Sequence, residues 1–125
     1  YESALEIDST NAKLLFNKGF TYYTNFQDKK AIEDFQKVLE IDSNNIEAKW
    51  HLALCFYAEE DYDNALKYYE KVESQNPDFA YLDNISKKEL EQKILLKNNL
   101  VYVVLLLILL VFVLYFLFKL FSGKR

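Results

Sequence analysis

The chain has 125 residues, with 19 acidic side chains against 15 basic ones and a net charge of −4. That balance argues against a nucleic-acid binder, and a single cysteine, Cys55, excludes an internal disulfide. An aromatic content of 17% beside two Gly and one Pro favours helices over a sandwich built on turns.

The charge is unevenly placed. Tyr1–Ile85 carries 17 acids and 8 Lys, a net charge of −9. Ser86–Asn99 sets Lys87, Lys88, Lys93 and Lys97 against Glu89 and Glu91, a net charge of +2. An acidic domain on a basic collar suits an anionic membrane surface.

Taken from its start, the chain repeats itself at an offset of 34 residues. Phe16 falls on Trp50, Gly19 on Ala53, and Tyr22-Tyr23 on Phe56-Tyr57. Ala31 falls on Ala65, Phe35 on Tyr69, Lys37-Val38 on Lys71-Val72, Asp42 on Asn76 and Ser43 on Pro77. Backwards, Tyr1 falls on Phe35, Leu5 on Leu39, and Glu6-Ile7-Asp8-Ser9 on Glu40-Ile41-Asp42-Ser43. Residues 1–11 therefore read as the end of a preceding repeat in a longer protein, followed by full repeats over 12–45 and 46–79.

Each repeat reads as a helix pair. The first helix is expected near Ala12–Asn25, capped by Asn11 or Thr10, with Leu15, Gly19, Tyr22, Tyr23 and Phe26 at helical spacing. A turn near Asn25–Asp28 leads to a second helix near Lys29–Ile41, with Ala31, Ile32, Phe35, Val38 and Leu39 on one face. The next pair is expected near Ile46–Glu59 and Tyr62–Ser74, with Asp61 as a cap. Gly19, Ala31, Ala53 and Ala65 mark close approach of two helices; Tyr22, Phe35, Phe56 and Tyr69 fill the space between them.

These residues resemble the tetratricopeptide repeat family, whose pattern is W-x2-L-G-x2-Y, then A-x3-F, then P. The second repeat carries Leu52, Ala53, Phe56, Ala65, Tyr69 and Pro77, with Trp50 one residue late. The first carries Leu15, Gly19, Tyr22, Ala31 and Phe35, and departs at Lys18, where an apolar residue is usual, and at Ser43, where Pro is usual. The resemblance covers about Tyr1–Phe79. It implies an all-α solenoid of helix pairs that binds other proteins. In the family the first helix of each pair lines the concave face. There Phe16, Phe20 and Tyr23, and again Trp50, Leu54 and Tyr57, form two stripes at i, i+4 and i+7. They are the expected partner-binding groove, with Trp50 as its central anchor; the competing reading covers the strip internally. Family members that clamp a chaperone's C-terminal carboxylate use basic and amide side chains on this surface. Asn17 matches the amide, but Glu47 stands where a Lys is expected and His51 where an Arg is expected.

The repeat pattern breaks after Asn76. Ala80–Ile85 reads as a short turn of helix, and Ser86-x-x-Glu89 is a capping-box signature. One helix is expected from Lys87 to about Leu120. Its first part, in segment 80–99, lays Leu90 and Ile94 on the last repeat as a capping helix. Segment 100–118, LVYVVLLLILLVFVLYFLF, is 19 residues without charge, Gly, Pro or amide. As a helix it covers roughly 28 Å, about the thickness of the hydrocarbon core. Its Leu, Ile, Val and Phe side chains favour insertion by about 6–10 kcal/mol. Tyr102 and Tyr115 lie near its ends, Lys97 precedes it and Lys119 follows it as interfacial anchors; 119–125 is a basic tail. A buried core helix is the competing reading. The run lacks Gly, Ala, Ser, Thr and any ionisable group, so it offers neither a small-residue dimer seam nor a proton path, and reads as an anchor.

No enzyme signature, cofactor motif or metal set is present in the sequence. His51 has no ligand partner at metal spacing, and Cys55 reads as a small apolar group. Glu59-Glu60-Asp61-x-Asp63 lacks the Gly and spacing of a calcium loop. The expectation is a non-enzymatic, single-pass membrane scaffold or adaptor, with its repeats in the cytosol. Its partners are another protein or peptide segment and the lipid bilayer, in a larger membrane complex of which the chain is a subunit, and not nucleic acid. The alternatives are a bacterial membrane sensor or assembly subunit with a domain beyond Arg125, and an enzyme with its catalytic domain before Tyr1.

Overall fold

The computed structural model describes residues 2–79 and 85–123. Five helices follow in order: α1 Glu2–Thr24, α2 Asp28–Ile41, α3 Ile46–Ala58, α4 Tyr62–Gln75 and α5 Lys87–Ser122. There is no strand among the described residues. The chain divides into two compact units, Tyr1–Glu91 and Gln92–Arg125. In the first unit α1 packs on α2, α2 on α3, and α3 on α4, the neighbour-to-neighbour order of a helix-pair solenoid.

The two repeats turn by the same devices. Within each pair the first helix ends in a Schellman motif. Gln27 N–H donates to Tyr22 C=O at 2.9 Å and Phe26 N–H to Tyr23 C=O at 3.0 Å. Asp61 N–H donates to Phe56 C=O at 2.9 Å and Glu60 N–H to Tyr57 C=O at 3.1 Å. Both motifs place a non-glycine residue in the left-handed region, Phe26 at φ 57° and Glu60 at φ 58°. After the second helix, Asp42 Oδ1 accepts from Asn44 N–H at 3.1 Å, and Asn76 Oδ1 accepts from Asp78 N–H at 3.2 Å. These side-chain turns stop α2 and α4 and start the next segment. Asn45 then caps α3 through Ala48 N–H at 2.9 Å, and Asp61 caps α4 through Asn64 N–H at 3.3 Å.

Two apolar layers result. Ala31, Phe35, Val38, Ala48, Leu52 and Cys55 are buried in one. Trp50, Ala53, Ala65, Tyr69, Val72, Ile85 and Leu90 are buried in the other. Helix α3 contributes to both, so it has no solvent face of ordinary width. Gly19 lets α1 approach α2: a Cβ there would lie 3.1 Å from Phe35 Cε1 and 3.3 Å from Asp34 Cβ. Lys18, unusual for the family, answers a buried carboxylate: its Nζ lies 3.5 Å from Asp34 Oδ2.

Helix α1 differs from expectation. It runs unbroken from Glu2 to Thr24 and does not restart at Ala12. Ser9 and Thr10 hydroxyls donate back to Glu6 C=O, at 2.9 and 2.8 Å, instead of capping. Between α2 and α3 the corresponding segment instead turns, with Asp42 Oδ1 accepting from Asn44 N–H and Asn45 Oδ1 from Ala48 N–H. The exposed large apolar side chains of α1 include Ile7 and Leu14, while Leu15 and Phe16 are half-buried against the first layer. The side chain of Leu5 and the turn expected over residues 80–84 lie outside the described residues.

Helix α5 belongs to both units. In the first, Ser86 Oγ accepts from Glu89 N–H at 3.1 Å, which is half of the expected capping box. The Glu89 carboxylate instead accepts from Tyr57 Oη at 2.7 Å. Lys87 pairs with Glu70 at 3.1 Å and Glu73 at 3.6 Å, and its pKa is raised, first by the Glu70 hydrogen bond. In the second unit, α5 is long and apolar enough to cross a bilayer, and its apolar window is wholly exposed.

Candidate groove between α1 and α3

On α1, Phe16, Asn17 and Phe20 share one face; on α3, Glu47, Trp50, His51 and Leu54 share another. The two faces enclose a cavity of about 520 Å³, with Phe79 closing one side. Of the six residues expected to form the groove, Phe16, Phe20, Trp50 and Leu54 line this cavity. Tyr23 stands behind it against His51, and Tyr57 is engaged elsewhere, by Glu89 and by the Tyr62 ring at 5.7 Å.

At Trp50 the burial favours the internally covered reading of the strip, although the residue also lines the cavity. It is only 2% exposed, packed on Tyr69 at 6.3 Å and under Phe79 at 6.1 Å. The reason is the double burial of α3: a stripe on this helix meets α4 and the segment after it before it meets solvent. The exposed aromatic of the groove is Phe20, at 43%.

His51 is the residue the sequence undervalued. Its ring is surrounded by Phe35 at 5.2 Å, Tyr23 at 5.4 Å, Phe20 at 5.5 Å and Phe16 at 5.6 Å. Its Nδ1 lies 2.8 Å from Glu47 C=O. A carbonyl only accepts, so Nδ1 carries the proton and Nε2 is left as an acceptor. Burial lowers the pKa below 6.5, opposed in part by the hydrogen bond to Glu47 and its charge, and the ring is neutral at pH 7. No periodicity could have placed Phe79, which follows Pro77 in a turn.

Cys55 is buried, and its thiol is pushed up to about 12, first by burial and then by Asp28. Such a thiol is no nucleophile at neutral pH. The acidic run on the other side of the repeat is spoken for structurally: Asp61 caps α4, and Glu59 lies 3.8 Å from Lys29.

A second cavity, about 610 Å³, adjoins the first and shares Phe16, Asn17 and Glu47 with it. It adds Asp8, Asp42, Asn45 and Lys13 to the wall. The polar wall of the first cavity therefore carries an acid at Glu47 and a neutral ring at His51. Of the expected membrane anchors, Lys97, Tyr102, Tyr115 and Lys119 are all exposed on α5.

No curated protein matches the chain. Profiles of one family, described as tetratricopeptide repeat, match residues 12–45 and 47–78, together more than half of the chain. With two helix pairs in register, equivalent turns and a shared groove, the chain belongs to the tetratricopeptide repeat family.

Proposed function

We propose that this chain is a membrane-anchored adaptor that holds a segment of a partner protein in the groove between α1 and α3. Tetratricopeptide repeats serve protein–protein interaction, and the observation that carries the finer reading is the cavity itself. It has an apolar aromatic wall, a half-exposed Phe20, and few polar groups to fix an orientation. Helix α5 supplies the anchor: its run over 100–118 supports a span with Tyr102, Tyr115, Lys97 and Lys119 at the two interfaces. The repeats work on the cytosolic side, in a complex with other membrane proteins. No step of chemistry is assigned to it: the Cys55 thiol is buried and His51 stands among four aromatic rings at the groove wall.

Phe20→Asp tests this reading. The side chain is partly exposed, so folding changes by about 1 kcal/mol or less. Capture of the partner, followed by co-purification from solubilised membranes, is expected to fall at least tenfold. Undiminished capture by a folded Phe20→Asp protein would overturn the groove.

A further inference from the structure

We propose that the α1–α3 groove takes a cationic side chain, a lysine or arginine that the partner segment carries beside an apolar residue. This rests on the reading of the groove as the partner-binding face, and adds what the groove selects. The polar groups at its wall are weighted towards acceptors. The Glu47 carboxylate is exposed and makes no ion pair among the described residues. His51 donates its one proton to Glu47 C=O, which leaves Nε2 as a lone-pair acceptor. Asn17 adds an amide, which can turn either its oxygen or its NH2 to a ligand. No lysine or arginine lines this cavity, and Phe16 and Phe20 place aromatic rings, which attract cations, at its wall.

The neighbouring cavity continues the same sign. Asp8 and Asp42 stand there against a single Lys13, with Glu47 common to both cavities. A basic side chain entering beside Phe16, which both cavities share, meets the Glu47 carboxylate first and Asp8 and Asp42 further along the wall. An acidic segment would set its carboxylate against Glu47 with no cation at the cavity wall to answer it. The apolar residue next to the cation occupies the Phe20–Leu54 side, which has no charge.

The test uses the full chain in phosphatidylcholine nanodiscs and fluorescence anisotropy. The probes are short synthetic peptides with Arg, Lys, citrulline or Glu at one position and Leu or Ala at the next. Arg and Lys peptides are expected to bind about tenfold tighter than citrulline, the size of a lost charge-assisted contact. That advantage should shrink with added salt. Glu47→Gln should abolish it, and Glu47→Lys should turn the preference towards the Glu peptides. Asn17→Lys, on the facing helix, should weaken Arg peptides in the same direction and stands in if α3 tolerates Glu47→Gln poorly. Equal binding of Arg and citrulline peptides, with Leu still preferred over Ala, would overturn the cation site and leave the groove standing. Tighter binding of Glu peptides to the unaltered protein would overturn it too. Binding that ignores both positions and ignores Phe20→Ala would overturn the groove along with it.

Discussion

Trp50 and Phe20 look alike in the repeat pattern and differ in what surrounds them. Trp50→Ala removes a ring that is 2% exposed between Tyr69 and Phe79, so a loss of about 3–5 kcal/mol is expected in a urea melt. Gly19→Ala sets two effects against each other. Helix propensity gains about 1 kcal/mol, while a Cβ 3.1 Å from the buried Phe35 ring overpacks by about 1–3 kcal/mol. The ring is locked in the first layer, so a net loss of up to about 2 kcal/mol is expected in the same melt. His51 sets a pH dependence. Its folded pKa lies below the ordinary 6.5, so the unfolded chain takes up the proton first as pH falls. Stability should therefore be full above pH 6.5 and be lost as pH drops through the lowered value. His51 is the only histidine, so His51→Gln should flatten the melting temperature across that window.

At the scale of the element, the turns say most about the repeat. Phe26 and Glu60 occupy equivalent left-handed positions that glycine would fill without strain. The Phe26 ring is 89% exposed, so Phe26→Gly loses little contact and relieves backbone strain of about 1–2 kcal/mol. The added flexibility of the unfolded chain takes back about 0.5–1 kcal/mol, and a gain of up to about 1.5 kcal/mol is expected by urea unfolding. The helix pairs themselves were legible because their small and aromatic residues recur at a fixed offset: Gly19 with Ala53, Ala31 with Ala65, Phe35 with Tyr69. Two things were not legible. At the helix expected to start at Ala12, Ser9 and Thr10 bond back to Glu6 C=O where Asp42 and Asn45 make a turn and a cap in the next repeat, and matching sequence spacing does not show which of these bonds form. The burial of Trp50 depends on Phe79, in the turn that closes the second repeat, and on Ile85; the capping-helix reading already brings Leu90 onto this repeat. The groove was legible only in part, through the face shared by Phe16, Phe20 and Leu54, because a helix face shows which residues lie together but not which neighbour covers them.

At the scale of the whole molecule, the sequence divides its tasks by composition. The repeats hold nearly all the acid, the collar before the apolar run is basic, and the run over 100–118 has no charge. That distribution supports an adaptor whose recognition face is acidic and whose second unit is lipid-soluble. The measurement that tests this account most directly combines both halves. A photo-crosslinking residue is placed at Phe20 in one protein and at Glu33, exposed on α2, in another. Membranes from cells expressing each are washed with alkaline carbonate and then irradiated. Both proteins are expected to stay in the membrane pellet, and only the Phe20 position to yield a discrete protein adduct. Release of the chain into the wash, or the same adduct from Phe20 and Glu33, would contradict it.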